Sequence, residues 1–516
     1  MTPAELIGLR LVASFRGLRA PDHVLHRVRS GPLGGFTLFR SLNVADPGQV
    51  RQLTAELQQA AREAHELPLL IAADQEGGQL IALGDATTPF PGNLALGATR
   101  DADLAREVGA ALGREIAAMG VNVNFAPVCD VNSNPVNPVV GTRSFGEDPL
   151  LVAEFSAAMV EGLQSTGVAA VGKHFPGHGD TASDSHYGVP VVEADRERLE
   201  RVELLPFKAT IAAGVRAIMA AHVALPVVTA DHELPSTLSR AVLRDLLRGE
   251  LGFEAVVVCD ALDMGALEQG STLAIEAIAA AAAGNDLLLL GPSVGDYTSI
   301  EAALAHALRR GLLDTHEAQA SADRVMALKR WIASAEQPPL SVIGSPQHRT
   351  LAATVAERSI TVVRDDSHTL PLRPSAFQRI GVILPRLADL TPADTSSYVQ
   401  HTLVEHVRRR HSATLAIDVS ADPDADEIEA VVARTAGCEV LIVATVNAYA
   451  QPGQAALVNA LIERGLPMVV VALRMPYDLM ACAQAATFVC AFSALEPSMR
   501  ALVAVLFGEA AARGWL

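Results

Sequence analysis

The sequence predicts an α/β protein of two domains: a (β/α)8 barrel over residues 1–335 and a smaller α/β domain with a mostly parallel sheet over 347–516, joined by a linker at 336–346. Three observations predict it. The chain has 516 residues, well above the roughly 100–200 of a single domain. Short apolar runs alternate with helix-like stretches along the first 335 residues. A segment rich in Pro, Ser and Gly, from Ser334 to Pro346, interrupts that alternation and reads as a linker.

The strand candidates of the first domain are Leu9–Phe15, Gly35–Phe39, Leu69–Ala73, Val121–Pro127, Val168–Gly172, Ala217–His222, Ala255–Asp260 and Asp286–Leu290. Most are β-branched or Leu-rich, the pattern of strands buried on both faces. Between them lie helical stretches such as Gln49–Ala64, Asp101–Ala118 and Leu151–Ser165. Eight strand–helix units are what a closed barrel needs, although an open doubly wound sheet gives the same alternation. Beyond the linker come five more apolar runs, Ser359–Val363, Arg379–Leu384, Glu439–Ala444, Met468–Leu473 and Thr487–Phe492, some separated by helical stretches such as Asp426–Thr435 and Ala455–Arg464.

Composition excludes several classes of function. Basic residues number 40 and acidic ones 58, a net charge of −18, so no electrostatic footprint for nucleic acid or an anionic membrane is present. The five cysteines are odd in number and widely spaced, which suits buried thiols in a reducing compartment better than a disulfide framework. The N-terminus has no basic stretch followed by a long apolar run, and Leu273–Ala283 is too short for a membrane span. A cytoplasmic protein is expected.

Barrel enzymes carry their chemistry at the carboxyl ends of the strands, and polar residues crowd those ends here. The third candidate strand runs into Asp74-Gln75-Glu76-Gly77-Gly78. The fourth leads to Asp130 and then to Gly141-Thr142-Arg143-Ser144-Phe145-Gly146. The fifth ends in Lys173–His186, which holds three His, two Asp and one Lys. The seventh ends in Cys259-Asp260-Ala261-Leu262-Asp263-Met264.

Lys173–His186 admits three readings: a metal site, a hydrogen-bonded loop, or acid/base catalysis. His174 and His178 have helical spacing, but Pro176, Gly177 and Gly179 argue against a helix that would present both rings to one metal. Asp184 and His186 are separated by one residue, close enough in a tight loop for the carboxylate to orient the imidazole. Asp260 follows the rigid apolar strand Ala255–Cys259, so a carboxylate there, kept ionised by Lys173 or Arg143, is able to attack carbon. The bland alternative is a helix N-cap near Leu262, a role that suits Asp263 better. Cys259 points the opposite way, into the core.

Two nucleotide motifs are rejected. Gly92–Thr99 has the glycine spacing of a phosphate-binding loop but Ala98 in place of its lysine, and no G-x-G-x-x-G follows the first strand. No cofactor is expected. With only two Trp and five Tyr, an extended sugar-stacking groove is not expected either.

The stretch Lys173–Asp180 followed by Asp184-Ser185-His186 resembles the signature of family 3 glycoside hydrolases, and more narrowly its β-N-acetylhexosaminidase branch, which acts on peptidoglycan fragments. Asp74–Gly78, Asn124–Asp130, Arg143–Gly146, Pro235–Ser239 and Cys259–Met264 match in the same order, and the match spans about residues 5–335. The resemblance implies that Asp260 is the nucleophile and His186 the acid/base, oriented by Asp184. It assigns Asp74, Arg143, Lys173 and His174 to the sugar hydroxyls. The implied activity is retaining release of terminal N-acetylglucosamine from small glycosides, without metal or other cofactor; the alternatives are a phosphorylase or β-glucosidase of the same family. A non-catalytic sugar-binding protein would have lost a catalytic position, and a metal-dependent hydrolase would lose activity on chelation. The chain departs from the family at Gln79, usually Arg, at Ala82, often basic, and in Leu38-Phe39-Arg40-Ser41, where relatives place the Arg later. No chemistry is assigned to Gln347–Leu516.

Overall fold

The computed structural model describes residues 1–64, 67–267, 273–294 and 297–516. Eight parallel strands form the first sheet: β1 (Leu11–Ala13), β2 (Gly35–Thr37), β3 (Leu70–Ala73), β4 (Val123–Asn124), β5 (Ala169–Phe175), β6 (Ala217–Ala220), β7 (Val256–Cys259) and β8 (Leu288–Leu289). They neighbour one another in chain order, and β8 lies beside β1. A parallel bridge between Val258 and Leu287 joins β7 to β8 and closes the barrel. Closure excludes the open doubly wound sheet that alternation alone had allowed.

Strands and helices arise where the side chains demand them. Leu11, Phe36, Ile71, Val171, Ile218 and Val257 are fully buried between the barrel interior and the surrounding helices. Those helices start at caps: Asp101, Asp148 and Asp314 each accept a backbone N–H of the first turn. β4 is shorter than the expected Val121–Pro127 for a local reason. Asn122 Oδ1 accepts Ile71 N, and Asn124 exchanges two hydrogen bonds with the backbone of Gln75. Side-chain amides there take over part of the strand ladder. β5 extends past the expected Gly172 and carries Lys173 and His174 within the strand.

The second domain has six strands: β9 (Thr361–Asp365), β10 (Ile380–Pro385), β11 (Thr414–Val419), β12 (Val440–Thr445), β13 (Met468–Ala472) and β14 (Thr487–Cys490). Their order is β9-β14-β13-β12-β10-β11, all parallel except β9. β11 answers to none of the five expected runs. It is an edge strand, partly exposed, with Asp418 facing solvent, so the doubly buried pattern is missing.

The two units are stapled together. Glu115, on the barrel helix Ala102–Ala118, is buried and accepts Thr88 N and Oγ1, Gly344 N and His348 Nδ1. The chain order of the second sheet reverses between β12 and β10, and loops at the carboxyl ends of strands beside such a switch point form a crevice. The segment after β10 leaves this crevice and lies over the barrel mouth.

Candidate active site

A cavity of about 530 Å³ opens at the carboxyl ends of the barrel strands. Asp74, Arg143, Lys173, His174, His186 and Asp260 all line it. Asp184 lies just behind His186. All seven residues singled out from the sequence are therefore brought to one place, from the ends of β3, β5 and β7 and the loops after β4 and β5.

The deep wall is a buried ionic lattice. Lys173 Nζ lies 2.6 Å from Asp74 Oδ1 and 2.7 Å from Glu76 Oε1. Arg143 meets Glu76 with two hydrogen bonds, Nε at 2.9 Å and Nη2 at 2.8 Å. Burial opposes the charge of Glu76, but Arg143 and Lys173 outweigh it and bring its pKa down to about 2. Burial likewise works against the Lys173 ammonium, and Asp74 and Glu76 raise its pKa above the ordinary value. Glu76 went unassigned in the sequence, although it stands two residues from Asp74 and two cations needed partners. It determines which atoms of Arg143 and Lys173 remain available to a ligand.

A second network fixes the loop after β5. Asp130 is fully buried; it accepts His174 N and His178 N, and Oδ2 lies 2.7 Å from His174 Nδ1. The ring of His178 lies between Thr181 Oγ1 at 2.7 Å and Ser185 Oγ at 3.1 Å. Burial lowers its pKa to about 4, so it is neutral near pH 7. The rings of His174 and His178 stand 6.1 Å apart and edge to face, each committed to a hydrogen-bond partner. Among the described residues no three His, Cys, Asp or Glu form a group able to hold a metal.

The dyad itself is tight. His186 Nδ1 lies 2.6 Å from Asp184 Oδ1, and the same oxygen accepts His186 N at 2.9 Å. Burial raises the pKa of Asp184, but the two hydrogen bonds and the nearby imidazoles of His186 and His178 more than offset it, leaving it below the ordinary carboxylate value. The contact at Nδ1 leaves His186 Nε2 free for proton exchange.

Asp260 projects from the end of β7, with Oδ1 accepting Ala261 N at 2.8 Å. Burial opposes its ionisation; His222, His174, the Ala261 N–H and His186 together keep its pKa below the ordinary value. This corrects one expectation, because Lys173 and Arg143 are already engaged with Asp74 and Glu76. His222, fully buried beneath Asp260 with its ring nitrogens 2.8 Å from Thr237 Oγ1 and 2.9 Å from Ala261 O, had no role assigned. The N-cap reading of Asp263 is corrected too. Residues 262–267 form turns, and Asp263 Oδ2 instead accepts Ser293 N. Cys259 is core, as expected.

The loops of nucleophile and dyad are hydrogen-bonded to each other, Gly265 N to His186 O at 3.1 Å and Ala266 N to Ser185 O at 3.2 Å. The roof comes from the second domain, to which no chemistry had been given: Asp389, Pro392–Thr395 and Tyr398 line the cavity. Gln79 anchors this roof. Its carbonyl accepts Thr395 N and Oγ1, and its side chain bonds Thr142 and Ala393. Gln79 is not among the cavity residues, so the family's usual Arg is replaced at a domain seam. The glycines of Gly92–Thr99 serve packing; a Cβ on Gly97 would lie 1.8 Å from Phe145 O.

Residues 6–328 match the family described as glycosyl hydrolase family 3 N terminal domain. The chain is 36% identical over 425 residues to a β-hexosaminidase A of Pseudoalteromonas piscicida, covering 75% of this chain and 71% of that one. It is 32% identical over 377 residues to a β-N-acetylglucosaminidase/β-glucosidase of Cellulomonas fimi, covering 70% and 64%. A solved family 3 β-N-acetylglucosaminidase from Paenibacillus sp. FPU-7 superposes with a TM-score of 0.93 at 36% identity, over 100% of this chain and 98% of that one. A closed barrel with this match is a glycosidase. The chain belongs to glycosyl hydrolase family 3, among relatives that are β-hexosaminidases.

Proposed function

We propose that the protein is a retaining β-N-acetylglucosaminidase that removes terminal N-acetylglucosamine from small glycosides, peptidoglycan fragments among them, through a glycosyl–enzyme at Asp260. The observation that carries this reading is the Asp184–His186 dyad in the same cavity as the Asp260 carboxylate. The hexosaminidase names of the relatives support the choice of sugar.

In the first step an Asp260 carboxylate oxygen bonds to the anomeric carbon. The glycosidic C–O bond breaks, its electron pair stays on the leaving oxygen, and His186 Nε2 delivers the proton. Asp184 stabilises the imidazolium before transfer and fixes the ring throughout. In the second step neutral His186 takes a proton from water, whose oxygen displaces Asp260 and restores the original configuration. The ionic wall of Asp74, Lys173 and Arg143 offers donors and acceptors to the sugar hydroxyls.

One feature of the dyad supports a second outcome. A neutral imidazole, unlike a carboxylate, does not repel an anionic acceptor, so phosphate is able to take the place of water. N-acetylglucosamine 1-phosphate formed in phosphate buffer would identify that outcome. The five unpaired, buried cysteines suit a cytoplasmic enzyme.

The test is hydrolysis of a chromogenic β-N-acetylglucosaminide. Wild type turns it over, and Asp260→Ala loses about 10³-fold or more in kcat. Unchanged turnover in the variant would overturn the assignment of the nucleophile.

A further inference from the structure

We propose that a second cavity, at the amino-terminal end of the barrel, binds an aliphatic carboxylate whose head group pairs with the buried amine of Lys329. It lies at the opposite end of the strands from Asp260 and stands independently of the reaction proposed above.

This cavity measures about 800 Å³, against about 530 Å³ for the catalytic one. Leu9, Leu33 and Leu69, which stand just before β1, β2 and β3, line it together with Met326 of the helix Thr315–Ala333. An apolar pocket of this size with a few fixed polar groups is the usual form of a small-molecule site. The polar group here is Lys329. Its side chain is fully buried, and Nζ donates to Leu33 O at 2.7 Å. That bond uses one of the three N–H groups of an ammonium. No carboxylate stands beside it among the described residues, and burial brings its pKa down to about 7.

The other charged groups facing the cavity are Arg27, Glu301, Glu5 and Arg330. Arg27 and Glu301 neutralise each other at 2.6 Å. Glu5 belongs to the cap of the first helix, where it accepts Thr2 N at 2.7 Å. With Lys329 charged, the lining therefore holds three cations and two carboxylates, on a chain whose net charge is −18. A buried ammonium without a counter-charge is costly. A ligand carboxylate supplies both that charge and acceptors for the amine, in a charge-assisted hydrogen bond. The body of the ligand meets leucine and methionine. A sugar or a nucleotide would leave its polar groups unpaired against such a wall, so an aliphatic chain with a single acid group fits best.

The experiment is calorimetric titration of the full chain with octanoate and, as the uncharged control, 1-octanol. It is run at pH 6 and pH 8 in buffers of different ionisation heat, which reports protons exchanged on binding. At pH 8 the free amine is mostly neutral and a bound carboxylate favours the ammonium, so octanoate binding takes up about half a proton or more. At pH 6 the amine is already protonated, and uptake falls to roughly a fifth of a proton or less. In Lys329→Met, octanoate binds about tenfold or more weakly, while 1-octanol stays within about twofold of wild type. If that variant does not fold, proton uptake by the wild type decides alone. No binding of octanoate, no proton uptake at pH 8, or undiminished octanoate affinity in Lys329→Met would each overturn the site. None of these measurements involves turnover, so they stand or fall apart from the glycosidase reading.

Discussion

At the scale of single residues, the chemistry depends on which nitrogen of His186 is free. Asp184 holds Nδ1 at 2.6 Å, so only Nε2 exchanges protons with a ligand. A proton donor matters most when the leaving group is a poor one. His186→Ala is accordingly expected to lose about 10²- to 10⁴-fold in kcat/KM on an alkyl glycoside and far less on a dinitrophenyl one. Equal losses on both would show that His186 is not the acid. The dyad was legible in the sequence because only Ser185 separates its members and proximity follows from spacing. Glu76 was not. Its importance comes from meeting Arg143 and Lys173, about 70 and 100 positions away along the chain, and such pairing depends on strand register rather than on local sequence. His222 escaped for a similar reason: a lone buried histidine looks like core until the strand beside it is known.

Among elements, the loop after β7 and the loop after β5 act as one piece, because Gly265 and Ala266 donate to the carbonyls of His186 and Ser185. Gly265 has little room. A Cβ there would lie 2.5 Å from His186 O. Gly265→Ala is therefore expected to displace the dyad and lower kcat at least about tenfold, while the melting temperature stays within a few degrees. Kinetics and thermal unfolding on the same preparation check this; full activity would contradict the coupling of the loops. The barrel strands were legible as buried apolar runs, within a few residues of their true ends. The edge strand β11 was not, because one of its faces meets water. The roof segment Asp389–Tyr398 reads as an ordinary polar loop; its role arises only when the second domain docks, which no local pattern encodes.

On the scale of the whole molecule, the extra length beyond the barrel completes the cavity as well as adding mass. The floor of the barrel carries a different feature. Lys329, in the last barrel helix Thr315–Ala333, is fully buried, and its Nζ donates to Leu33 O at 2.7 Å with no carboxylate beside it among the described residues. Burial lowers its pKa from 10.5 to about 7. Below pH 7 both folded and unfolded chains carry the ammonium, and the folded one bears the full burial penalty. Between pH 7 and 10.5 the unfolded chain binds more protons, so this penalty fades as pH rises. Denaturant titrations from pH 6 to 10 are expected to show wild type gaining stability relative to Lys329→Met across that window. Parallel curves would contradict a buried amine with no carboxylate beside it among the described residues. The proposed reaction turns on one bond, between Asp260 and the anomeric carbon. Mass mapping after incubation with a slow-turnover fluorinated N-acetylglucosaminyl donor tests it most directly. A sugar adduct on the peptide containing Asp260 is expected; an adduct on another carboxylate, or hydrolysis of the donor with none formed, would contradict a covalent role for Asp260.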